Sequence, residues 1–116
     1  MVSVDDIKDL QDEVVADLSV TMSKDTDFDE AALAIKAKNA IMDVVMRRNY
    51  IATSFSKERI LADLRNYYNT ICRLTEYDYN QIGAEGQSSH SENETDRVWV
   101  SRDEILSGVH AFVQVF

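Results

Sequence analysis

Proline is missing from this 116-residue chain, and glycine occurs only three times, at Gly83, Gly86 and Gly108. Long stretches therefore carry no helix breaker, which points to helices and away from a turn-rich all-β fold. A single cysteine excludes an internal disulfide. Cys72 stands among Ile71 and Leu74 in a helical pattern and reads as a buried structural thiol. A catalytic thiol needs a base beside it, and neither His90 nor His110 is near it in sequence. Apolar runs are short, far below the roughly 20 residues of a membrane span. The opening Met-Val-Ser-Val-Asp-Asp has no basic start and no apolar stretch, so a secretory signal is not expected. A reducing cytoplasm fits these features.

What is present suits one small domain, residues 1–116, with 45% hydrophobic and 28% charged residues. The net charge is −9, and it is unevenly spread. Residues 1–30 sum to −8, residues 31–75 to +5 and residues 76–116 to −6. Segregation of this kind suggests acidic and basic parts that meet across subunit boundaries. An acidic whole argues against a protein that grips nucleic acid by its phosphates.

Four helix starts are legible. Ser3 with Asp6 forms a capping box, and Val2 with Ile7 stands at staple spacing. Val4, Ile7, Leu10, Val14, Val15 and Leu18 follow at helical intervals. Asp27 with Glu30 predicts a second start, and a helix from about Asp29 to Arg48. Its apolar stripe reads Ala31, Ala34, Ile35, Lys38, Ile41, Met42, Val45, with Lys38 covering apolar surface by its stem. Ser56 caps a third helix, with Phe55 and Ile60 as its staple pair. Ile60, Leu61, Leu64, Tyr67, Tyr68, Ile71 and Leu74 carry that helix toward Ile82, as the longest of the set. Ser101 with Glu104 starts a short fourth helix that stops at Gly108. From Val109 to Phe116 apolar residues alternate as in an extended tail, and Phe112 and Phe116 make its second face apolar too. Such a tail is expected to pack on a partner chain or to form a small strand pair. Residues 83–96 form a long polar loop, and Arg97-Val98-Trp99-Val100 a brief strand. The fold class is thus mainly α, a small bundle of about four helices.

Several motifs fail on inspection. Asp25-Thr-Asp27-Phe-Asp29 opens like a calcium loop, but Glu30 and Lys36 stand where the turn glycine and the bidentate glutamate belong. Gly83-Ala-Glu-Gly86 has the spacing of a nucleic-acid clamp, yet Glu85 has the wrong sign. His90 lies among Ser88, Ser89, Ser91 and Glu92, the residue types of a triad. Neighbours on one loop are not held in triad geometry without a scaffold. No Cys/His cluster has zinc spacing. Neither catalytic nor metal-binding residues are therefore expected, and no cofactor. His110 reads as packed or partner-facing, and Trp99 as a local plug or an interface anchor.

The stretch from Tyr79 to Asn93, Tyr-Asn-Gln-Ile-Gly-Ala-Glu-Gly-Gln-Ser-Ser-His-Ser-Glu-Asn, resembles the signature of the head–tail connector (head-completion or adaptor) proteins of tailed bacteriophages. In that family an aromatic-rich helix ends in Tyr-Asn, then come Gly-x-Glu-Gly, a serine-rich run and Ser-Glu before a turn. An arginine and an aromatic follow, matched here by Arg97 and Trp99. The likeness covers roughly Asn39 to the C-terminus, including Arg48-Asn49-Tyr50, and leaves the acidic first helix outside. Glu94 stands where the family usually has glycine, which disfavours a type I′ turn there. The resemblance implies a helical, non-enzymatic virion subunit at the neck, assembled in the bacterial cytoplasm. It would form a homo-oligomeric ring between the portal protein and the next neck or tail-completion component. DNA would pass through without sequence-specific binding, and no membrane would be involved. The expected partner and subunit contacts are Gly83, Glu85, Gly86, Ser88, Ser89, His90, Ser91, Glu92, Arg97, Trp99, Phe112 and Phe116. Glu85, Glu92, Glu94 and Asp96 are the expected channel-facing carboxylates, with Arg47, Arg48, Arg59 and Arg65 facing protein. A small helical regulator of a host or phage protein is the alternative.

Overall fold

A computed structural model describes residues 2–50, 55–84 and 102–111. They form a mainly helical bundle: α1 (Lys8–Met22), α2 (Glu30–Arg48), α3 (Lys57–Arg65), α4 (Tyr68–Ala84) and α5 (Arg102–Leu106). No strand occurs among the described residues. The expected strand 97–100, the cap Ser101 and the tail beyond Ala111 lie outside them.

The start of α1 departs from expectation by one turn. Ser3 and Asp6 do make the reciprocal bonds of a capping box. The Ser3 N–H donates to Asp6 Oδ2 at 2.8 Å, and the Asp6 N–H to Ser3 Oγ at 3.4 Å. Residues 4–7 form a turn, however, with Asp6 N–H on the Ser3 carbonyl at 3.1 Å, and the α-helix starts only at Lys8. Val2 and Ile7 are both buried, as a staple requires, whereas Val4 is exposed.

At α2 the cap is Asp29, not Asp27. Asp29 Oδ1 accepts from the Ala32 N–H at 3.2 Å, while Asp27 donates its N–H to Asp25 Oδ1 in a local turn. The expected stripe is also corrected. The buried face is Leu33, Ala37, Ala40, Ile41, Val44, Val45 and Arg48, so only Ile41 and Val45 of the expected set are fully buried. Ala34 and Met42 are partly covered, and Ala31 and Ile35 are exposed. Two apolar rows run along this helix, and the core takes the one in which Ala37 and Ala40 alternate with the large side chains Leu33, Ile41 and Val44. Ala37 and Ala40 let α2 approach its neighbours closely, which Ile35 and Met46 would not. The helix ends at Asn49, which adopts the left-handed conformation (φ 55°) that asparagine tolerates.

Ser56 caps α3 as expected, with its Oγ accepting from the Arg59 N–H at 3.2 Å. The single long helix from Ser56 to Ile82 is not formed. It breaks at Asn66–Tyr67, where Asn66 N–H bonds the Asp63 carbonyl and Tyr67 N–H the Leu64 carbonyl, both in the tighter i to i−3 pattern. Asparagine is a weak helix former, and the break lets Tyr67 lie beneath the Arg48 guanidinium, 5.0 Å from its centroid. Among the described residues the longest helix is therefore α2, of 19 residues. Gly83 belongs to the last turn of α4 and not to a loop.

Four helices and the C-terminal segment enclose one core. It is built from Ile7, Leu10, Val14 and Val15 of the first segment, the α2 face, Ile60, Leu64, Ile71 and Leu74, and Ile105, Leu106 and Val109. Helix α2 packs chiefly on α4 and α1, and α5 sits on α4. Gly108 follows α5 closely but has no positive φ, so the stop does not draw on its left-handed freedom.

Candidate interaction site

Two arginine clusters close the bundle around its C-terminal segment. In the first, Arg48 is buried at the end of α2. Its Nε and Nη2 grip both Asp63 oxygens, at 2.8 and 3.1 Å, and Nη1 donates to the His110 carbonyl at 2.6 Å. Tyr50 donates its hydroxyl to Asp63 Oδ2 at 2.5 Å, and Tyr67 supplies an aromatic face to the guanidinium. Burial opposes the charge on Arg48, but the bonds and charge of Asp63 outweigh it and raise its pKa. Burial and the adjacent Asp63 carboxylate push the Tyr50 phenol well above its ordinary value. Next to this cluster, Arg47 Nε donates to the Val109 carbonyl at 3.1 Å.

The second cluster is centred on Arg102 at the start of α5. Nε and Nη2 bond both oxygens of Asp78 on α4, at 2.8 and 2.9 Å, and Nη2 also reaches Asp43 on α2. Those bonds, Asp78 first, hold the guanidinium charged against partial burial. Together the clusters seat Ile105, Leu106 and Val109 on the bundle. The start of the expected partner-seeking tail is thus fixed to its own chain. His110 exposes its side chain while its carbonyl is taken by Arg48, which corrects the packed reading of that histidine.

Charge segregation resolves in the same way. The acidic first segment meets the basic middle within one chain: Asp6 with Lys57 at 3.1 Å, Glu13 with Arg65, and Asp17 with the Tyr68 hydroxyl. The partners advance in step along the chain, and α1 itself packs on α2 and α4. Asp6 is held below the usual carboxylate range, first by the Ser3 N–H and then by Lys57. Cys72 is half-buried near Tyr68 and Asp17, and burial pushes its thiol up. At α2, Tyr79 reaches across from α4 to accept the Asp29 N–H at 2.9 Å and packs on Phe28.

The face of α2 turned away from the core carries Ile35 (53% exposed) and Met46 (76% exposed), with Asn39 and Met42 between them. Part of this row is legible in the sequence as the stripe with Ile35 and Met42, which helical spacing alone places in the core. Neither the Arg48–Asp63–Tyr50 cluster nor the Arg102–Asp78–Asp43 cluster is visible as a unit in the sequence. A signal existed for Asp43 and Asp63: they are two of only three acids in the basic segment 31–75, and each answers an arginine.

Of the expected contact residues, Gly83 alone is described, in the final turn of α4. Glu85, Gly86, Ser88, Ser89, His90, Ser91, Glu92, Glu94, Asp96, Arg97, Trp99, Phe112 and Phe116 lie outside the described residues. No group of three or more His, Cys, Asp or Glu side chains stands in metal-binding proximity among the described residues. No described helix is long and apolar enough to cross a membrane. Compared with protein-family models, curated proteins and solved structures, the chain matches none.

Proposed function

We propose that this chain is a structural virion protein of a tailed bacteriophage, a ring-forming adaptor between the portal and the next neck or tail component. The observation that carries the proposal is the Tyr79–Asn93 stretch, followed by Arg97 and Trp99, with its likeness to the connector signature. A mainly helical bundle is the fold that the likeness implies, and α4 is the aromatic-rich helix that leads into the signature, with Tyr77 and Tyr79 near its end. The arginine clusters are occupied in holding helices together, which suits a scaffold whose task is contact.

In a ring, the wall facing the duplex must repel phosphates rather than bind them. Glu85, Glu92, Glu94 and Asp96 are the carboxylates proposed for it. The arginines proposed to face protein are engaged within the chain: Arg48 with Asp63, Arg65 with Glu13, Arg47 with the Val109 carbonyl, and Arg59 over the Phe55 ring at 4.9 Å.

Purified virions should contain the chain in several copies, detectable by mass spectrometry, and mixing it with portal rings should give stacked rings by electron microscopy. Its absence from virions would end the proposal. Duplex DNA should not be retained by the protein at physiological salt; tight retention would overturn the acidic-wall assignment.

A further inference from the structure

We propose that the outward face of α2 is a self-association surface, on which a second copy of this chain packs its own α2 in parallel across a twofold axis. The row is Ile35, Asn39, Met42 and Met46, spaced by four, three and four residues. That is the spacing of the seam between two paired helices, in which alternate steps of three and four keep one face toward the partner. Single exposed apolar residues are ordinary on a surface. Here they recur in register on a helix whose opposite side already supplies Leu33, Ala37, Ala40, Ile41, Val44 and Val45 to the core. Met42 reaches the edge of that core, whereas Ile35 and Met46 stay exposed on either side of it.

Two features of the row select the occupant. Asn39 is exposed at its centre, between Ile35 and Met42. Parallel, in-register pairing sets Asn39 against the partner's Asn39, where each amide can donate to the other. An antiparallel arrangement would set it against the partner's Met42 and leave its polar group without an answer. The flanks agree. Lys38 lies on one side of the row and Asp43 on the other, five residues further on, which is the offset that bridges two parallel helices. Pairing brings Lys38 to the partner's Asp43, and the twofold axis repeats the contact. Asp43 keeps its bond to Arg102 from α5 on its own chain, which holds the carboxylate in place. No like charges meet along the flanks. The seam is about 16 Å long, so the contact belongs to the weak class of interfaces below about 1,200 Å². It goes beyond the ring reading, because a ring joins two different patches head to tail while this contact is isologous.

Sedimentation velocity across a concentration series tests it. The wild-type chain is expected to move between monomer and dimer. Met46→Glu and Lys38→Glu each place like or unpaired charge at the seam twice, and should raise the dissociation constant by about tenfold or more with an unchanged circular dichroism spectrum. In a Cys72→Ala background, Met46→Cys should give a disulfide-linked dimer under mild oxidation, because parallel register sets Met46 against the partner's Met46. A wild-type chain that stays monomeric at the highest concentration would overturn the proposal. So would variants that associate as well as wild type, or a crosslink that forms only between Met46→Cys and Ile35→Cys chains.

Discussion

At Asp63 one carboxylate answers three donors, the Nε and Nη2 of Arg48 and the Tyr50 hydroxyl. Removing it strands a buried guanidinium and a phenol together. Asp63→Asn should therefore cost about 2–3 kcal/mol in urea unfolding, clearly more than the loss of an exposed ion pair such as Lys8–Asp12. The Tyr50 phenol adds a pH dependence. Its pKa is raised on folding, so the folded state holds the proton more tightly than the unfolded chain. The stability that this contributes is complete below the ordinary tyrosine value of about 10 and is lost as pH rises above it. Urea midpoints measured from pH 8 to pH 11 should fall at the alkaline end, and less steeply in Tyr50→Phe. An equal fall in both chains would remove Tyr50 from the account.

For the elements, α2 shows why a hydrophobic pattern leaves a choice open. Its sequence offers apolar residues on two sides, and either row satisfies helical spacing. The core takes the side with Ala37 and Ala40, where small side chains admit close approach of α4 and α1. Leu33→Ala should cost about 2–4 kcal/mol, because a fully buried side chain leaves a cavity. Ile35→Ala should change the stability of the monomer by less than about 1 kcal/mol. Comparable costs for the two would return Ile35 to the core. The break between α3 and α4 has the same origin. Local pattern favours one continuous helix, and the seat for Tyr67 under Arg48 is visible only once α2 lies alongside.

Across the whole molecule, the C-terminal segment is joined to the bundle by Arg47, Arg48 and Arg102 and by the burial of Ile105, Leu106 and Val109. Among its described residues, deleting 109–116 removes one buried valine and two carbonyl acceptors of arginine bonds. The shortened chain should be less stable by about 2–3 kcal/mol, read from its urea midpoint. Assembly with portal rings is the separate readout for a role in partner contact. Unchanged stability with lost assembly would place the segment's whole contribution at the partner. Unchanged assembly would remove the tail from the proposed interface.

Local pattern suffices for the helical class, the α3 cap at Ser56, the burial of Val2 and Ile7 and most of the α1 core face. These depend on neighbours three to five residues apart, which the sequence displays directly. Tertiary structure decided which side of α2 is buried, where the third helix breaks, and that the acidic and basic segments meet within one chain. Those outcomes depend on residues far apart in sequence, such as Asp63 with Arg48, Arg102 with Asp43, and Arg65 with Glu13. A charge pattern gives sign and amount but not the partner, because Coulomb attraction acts through space and only packing sets the distances.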